Sequence, residues 1–263
     1  MRVSKDRSTW VSLGDWVDDR SIFAMNSEVH KFTDTQKTIS KSGYKIVTDV
    51  QRSESRVLNV SGMIIGASSE DCREKSIEIR ELLIGNSLYF HEEYYNRVVH
   101  GSVSNINDSV KRGAFLGKVN LINFNISCLD PYWQTLTKYS IDFDAGDPIS
   151  IDYSDNGAVN TDYTIELTCL TATTPVTSLV SGLIELSSEL TLNAGDKLKF
   201  SSEGSSFLAS STIAGVTVNR LGLLSDAFFI NGLVLTPGVN TITINPLIDE
   251  DFDVNVSFYG RSI

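Results

Sequence analysis

"NLINFNISCLDPYWQ", residues 120–134, changes pattern twice within a short span. In its first part Ile122, Phe124, Ile126 and Cys128 alternate with Asn123, Asn125 and Ser127, the period of two that marks a half-buried strand. Asp130-Pro131 then ends the run, because proline has no N–H for a ladder and pushes its predecessor out of the helical region. Tyr132 and Trp133 follow, two large rings with polar tips suited to plugging the end of a sandwich or a joint between domains. The corner Asp130, Pro131, Tyr132 and Trp133 is therefore read as the place where one β-rich domain, 1–135, ends and a second, 136–263, begins.

The charge distribution changes at the same place. Residues 1–133 hold 17 Lys+Arg and 17 Asp+Glu, so the 22 and 33 of the whole chain leave 5 basic and 16 acidic residues for the rest, a net −11. Trp10, Trp16 and Trp133, with His30, His91 and His100, all fall in the first part. An acidic second half speaks against sequence-specific nucleic-acid binding, which needs clustered Lys and Arg against phosphate. Cys72, Cys128 and Cys169 are odd in number and far apart, which fits reduced thiols in a chain made in a cytosol. "MRVSKDRSTW" has no apolar signal-peptide core, and no run approaches about 18 uncharged apolar residues, so no membrane insertion is expected.

Along the chain, "SSEDCREKSIEIRELLIG" (68–85) predicts the one clear helix. Ser68 or Ser69 caps it, Glu70 and Asp71 suit its positive end, Ile79, Leu82 and Leu83 give an apolar side, and Gly85 stops it. Before it, "RVLNVSGMII" reads as a strand in which Leu58 and Val60 alternate with Arg56 and Asn59. After it, "SLYF" and "RVVHGSVSNI" predict two strands joined through the turn "HEEYYN". Beyond 140 helical periodicity is missing. "DYTIELTCL", "ELTLNAGDKLKF", "AFFINGLVL" with its Asn231-Gly232 hairpin signal, "TPGVNTITI" with a Pro237-Gly238 turn, and "DFDVNVSFYG" are short alternating runs between turns, the pattern of an antiparallel sandwich. Residues 144–162, acidic and rich in turn formers, read as a linker or entry loop. The fold class is mainly β: a β-rich first domain with one helix, then an antiparallel β-sandwich.

Motifs with a mechanism fail when tested. "HEEYYNRVVH" lacks H-E-x-x-H spacing and lies on strand and turn, so no metal is expected there. Asp249, Asp251 and Asp253 begin like a calcium loop, but Val254 and Gly260 stand where glycine and glutamate are needed. No nucleophile elbow and no phosphate-binding glycine loop occurs, so neither an enzyme nor a cofactor is expected. A glycan-binding module is the alternative reading. Against it, residues 134–263 contain no Trp or His, although Tyr153, Tyr163 or Tyr259 could still stack on a sugar.

In order, the pieces "IRELLIGNSLYFHEEYYNRVVHGSV", "FNISCLDPYW", "NAGDKLKF" and "LTPGVNTITI" resemble the distal tail proteins of siphophages. The resemblance covers about residues 50–263; the first 45 do not follow the family's usual opening, and no long insertion supplies an extended arm. It implies a galectin-like second domain and a homo-hexamer ring closed by the first domains at the virion tail tip, assembled in the host cytoplasm. Such a ring joins the tail tube protein to the tail hub protein around a channel for DNA, with receptor-binding proteins as further partners. A net-neutral first domain suits ring contacts, while the −11 surplus sits on a peripheral domain. Tyr94, Tyr95 and Arg97 are the candidate ring interface, since Tyr and Arg are favoured anchors.

Overall fold

The computed structural model describes residues 1–13, 22–41, 44–111, 118–154, 159–172, 178–180, 183–185, 190–203, 207–224, 228–229, 232–245 and 249–262. The protein is mainly β and divides into two compact units, Met1–Trp133 and Gln134–Ile263.

In the first unit the strands are β1 (Arg2–Ser4), β2 (Val11–Ser12), β3 (Ile22–Lys41), β4 (Tyr44–Ile65), β5 (Ser87–Glu92), β6 (Arg97–Lys111) and β7 (Val119–Cys128), with helix α1 (Ser69–Leu83) between β4 and β5. They order as β2-β1-β5-β6-β7-β4-β3, every pair antiparallel. Alternation explains the core: Leu58, Val60 and Ile64 of β4 and Ile122, Phe124 and Ile126 of β7 turn to one side and are buried with Phe90, Val99 and Trp133. Helix α1 lays Cys72, Ser76, Ile79 and Leu83 on that core, while Leu82 stays half-buried. Its first turn is fixed by Ser68, whose Oγ accepts the Asp71 N–H at 3.1 Å, and by Asp71, whose carboxylate accepts the Ala67 N–H at 2.7 Å and Lys75 Nζ at 2.9 Å. Under the helix, Asn120 Nδ2 donates to Ser76 Oγ at 2.8 Å.

The long β3–β4 hairpin outgrows this sheet. Its ladder runs from Ile22↔Met63 to Lys41↔Tyr44, but β4 pairs with β7 only from Val57 to Ile65. Over residues 44–56, β4 has β3 as its one strand partner among the described residues, and β3 has only β4. At about 3.3 Å per residue this is a two-stranded ribbon roughly 40 Å long.

Arg56 departs from the sequence reading. It does not share the outward side with Asn59; it lies two residues before Leu58, on the core side, and is 1% exposed. A guanidinium there is tolerated because its head meets an aromatic face, described below.

After β8 (Trp133–Thr135), the second unit holds β9 (Tyr139–Phe143), β10 (Ile149–Asp152), β11 (Thr161–Cys169), β12 (Ser178–Val180), β13 (Ile184–Glu185), β14 (Lys197–Ser201), β15 (Leu208–Ile213), β16 (Val216–Asn219), β17 (Val234–Leu235), β18 (Val239–Ile242) and β19 (Phe252–Phe258). One antiparallel sheet runs β16-β15-β14-β11-β19-β9, and β10 pairs with β18. Tyr163, Ile165, Leu167 and Cys169 of β11 and Phe252, Val254, Val256 and Phe258 of β19 share the core with Ile149, Ile151 and Ile242. Two expectations are corrected here. Residues 149–153 of the stretch read as a linker or entry loop belong to the body of this unit: Ile149, Ile151 and Tyr153 are buried, and β10 is one of its strands; residues 155–158 lie outside the described residues. Phe228 and Phe229 are helical, not strand, and the Gly232 N–H bonds back to the Phe228 carbonyl at 3.0 Å; Asn231 lies outside the described residues.

Candidate functional site

The residues singled out at the corner and at the "HEEYYN" turn come together around one indole. After β7 the Leu129 N–H bonds the His100 carbonyl at 2.8 Å, and Asp130 Oδ1 accepts the Tyr132 N–H at 3.1 Å, a side-chain closed turn that leaves Pro131 no ladder to join. The turn delivers Trp133 into the first unit's core, where it is 2% exposed. The Arg97 guanidinium stacks on its ring at 3.8 Å from the centroid, and that of Arg56 lies 5.4 Å away.

This divides the three candidate interface residues. Arg97 is the first residue of β6, not part of an open loop; its Nε donates to Glu92 Oε2 at 2.5 Å while its plane meets Trp133 and, at 4.8 Å, Tyr95. Tyr94 and Tyr95 stand out instead, 86% and 63% exposed and packed edge to face at 4.7 Å. The turn beneath them is braced by Asn96, whose φ of 50° suits asparagine and whose Oδ1 lies 3.1 Å from His91 Nε2. Arg56 was missed from the sequence, although its even spacing from Leu58 and Val60 was the signal for the core side.

The His91 and His100 side chains are both held by packing and hydrogen bonds. His91 is buried with its ring edge-on to Trp10, and His100 stacks on Tyr89 at 4.3 Å with Nε2 2.7 Å from Ser87 Oγ. Burial, helped by the nearby Arg7 charge and opposed by Asp130, holds His100 below its ordinary pKa of 6.5. The sign follows. Below about pH 6.5 the unfolded chain takes a proton that the folded one resists, so stability falls as pH drops from that value towards the folded pKa. Urea midpoints at pH 7 and near pH 5 should therefore differ more for the natural chain than for His100→Gln. Equal differences overturn this account.

In the second unit the Asp249–Asp253 run is used up locally. Asp251 Oδ1 accepts the Thr171 hydroxyl at 2.6 Å, and Asp253 Oδ1 accepts the Ala145 N–H at 3.2 Å. Among the described residues no group of three or more His, Cys, Asp or Glu is placed to hold a metal ion. No described helix is long and apolar enough to cross a membrane.

Geometry thus defines a two-unit antiparallel β chain whose distinctive features are a two-stranded ribbon with no further strand partner among the described residues and an aromatic knob. Its sequence matches no protein-family model and no curated protein. Two solved structures are similar to it: a chain of the phage p2 baseplate in its activated conformation with Sr, at TM-score 0.48, and one of the same baseplate with Ca, at 0.49. Each is 6% identical, covering 98% of this chain and 96% of the other.

Proposed function

We propose that this chain is a structural component of a phage tail tip, a distal tail protein whose first units close a six-membered ring between tail tube and tail hub. The observation that carries the reading is the β3–β4 ribbon. A lone two-stranded hairpin is at best marginally stable in water, and this one has strand edges without partners over residues 44–56 among those described. A chain that holds out such a ribbon completes itself against other chains. The ordered motifs shared with siphophage distal tail proteins, the neutral first part and the exposed Tyr94–Tyr95 pair agree with head-to-tail contacts between copies. The second, acidic unit then projects from the ring, with a galectin-like sandwich as its architecture.

Native mass spectrometry and negative-stain imaging of the purified full chain test this. The expected result is a six-fold mass and rings with an open centre. A monomer at every concentration that instead binds cell-wall polysaccharide favours a glycan-binding module.

A further inference from the structure

The first unit carries a hole as well as a knob, and they sit at different ends of β5. The hole is a cavity of about 240 Å³ with an apolar floor of Val3, Val11, Leu82 and Leu88 and a polar rim that includes Asp6 and Thr9. Its rim is already formed. Asp6 Oδ1 accepts the Ser8 N–H at 2.9 Å and the Thr9 N–H at 3.3 Å, and Ser4 Oγ accepts the Arg7 N–H at 2.9 Å. Hydrogen bonds to Asp6, from the Ser8 side chain first and then from the Ser8 and Thr9 N–H groups, hold its pKa down at about 2. At the other end of the strand, just past Glu92, the turn presents Tyr94.

We infer that Tyr94 of one copy inserts into the Val3–Leu88 hole of the next, a head-to-tail contact of the kind that closes a ring. This rests on the ring reading above and names the contact that reading leaves open. Four observations support it. Tyr94 is 86% exposed, an apolar body with a hydroxyl, and the hole offers an apolar floor with acceptors at its rim. The hole's rim is held before contact by the Ser4 and Asp6 bonds, and Tyr94 leans edge to face on Tyr95, whose ring in turn packs on the Arg97 guanidinium, so less freedom is lost on docking. Leu88 and the turn are separated by roughly 15 Å along β5, which keeps a tyrosine from filling the hole of its own copy. The part of the chain holding both carries 17 basic and 17 acidic residues, so copies approach without net repulsion.

The test uses the full chain with the photoreactive benzoylphenylalanine at position 94, an aromatic substitute that preserves the knob, mixed with isotope-labelled natural chain. Irradiation should join position 94 to labelled peptides containing residues 3–11 or 82–88. In parallel, Tyr94→Ala, at a surface position, should weaken self-association at least about 10-fold in sedimentation velocity. Rings of six-fold mass that persist in Tyr94→Ala, with no cross-link to those peptides, overturn this contact and leave the ring standing. A natural chain that stays monomeric at every concentration, with no cross-link, overturns both.

Discussion

Replacing Trp133 with alanine is expected to lower the stability of the first unit by about 3–5 kcal/mol, the range for removing a fully buried aromatic side chain. The indole is 2% exposed and packs in the cluster with Leu58, Phe90, Phe124 and Ile126. Its Nε1 has no hydrogen-bond partner among the described residues, so the value of the ring lies in its area and its face rather than in its polar tip. Two guanidiniums rest on that face, Arg97 at 3.8 Å and Arg56 at 5.4 Å, and desolvated contacts of this kind are worth about 2 kcal/mol. Alanine removes the platform and leaves Arg56, 1% exposed, over a void, which places the loss towards the upper end of the range. Urea unfolding followed by circular dichroism, with the first unit's transition resolved from the second's, measures it. An unchanged midpoint for the first unit means the corner merely links the units and does not anchor one.

What the sequence makes legible are the features written locally. Helix α1 follows from Ser68, Glu70 and Asp71 at one end and Gly85 at the other, and the buried face of β7 follows from Ile122, Phe124 and Ile126. β10 is hidden for a physical reason: its Ile149 and Ile151 lie between Asp144, Asp147, Asp152 and Asp155, and a four-residue strand is too short to outweigh the turn-rich acidic surroundings. Arg56 misleads because a charge suggests the solvent side, whereas its neighbours two and four residues on point to the core. What a sequence does not carry is which distant pieces meet. Trp133 finds Arg56 and Arg97 only once β4, β6 and the corner are in place. The hole needs residues 3–11 folded against Leu82 and Leu88. Both depend on the antiparallel order β1-β5-β6-β7-β4, a long-range property that short periodicities leave undetermined.

A loss of similar size is expected from the smallest change, Gly66→Ala. Gly66 stands between the end of β4 and the first turn of α1, where its N–H donates to the Lys118 carbonyl at 2.8 Å. A Cβ at this position would lie 2.4 Å from the Cys72 backbone nitrogen and 2.7 Å from its Cα and Cβ, distances that real contacts do not reach. Relief has to come from backbone, and the backbone there is held on every side. The Cys72 N–H bonds the Ser68 carbonyl at 3.0 Å, Ser68 Oγ caps Asp71, Asp71 holds the Ala67 N–H, and the Cys72 thiol reaches the Ile64 carbonyl at 3.7 Å. Moving α1 away strips Ile79 and Leu83 from the core, and moving β4 breaks its ladder with β7. Overpacking against side chains costs about 1–3 kcal/mol, and against fixed backbone the expected loss is about 4 kcal/mol or more. Cys72 supplies a direct readout beside the unfolding midpoint. Its thiol is 2% exposed, and burial, with the Asp71 charge, pushes its pKa up, so in the natural chain it should resist an aromatic disulfide reagent. In Gly66→Ala it should react at a rate set by opening of the helix. A Cys72 that stays unreactive in a variant of unchanged stability means that the strand and helix slide apart without cost, contrary to the packing described.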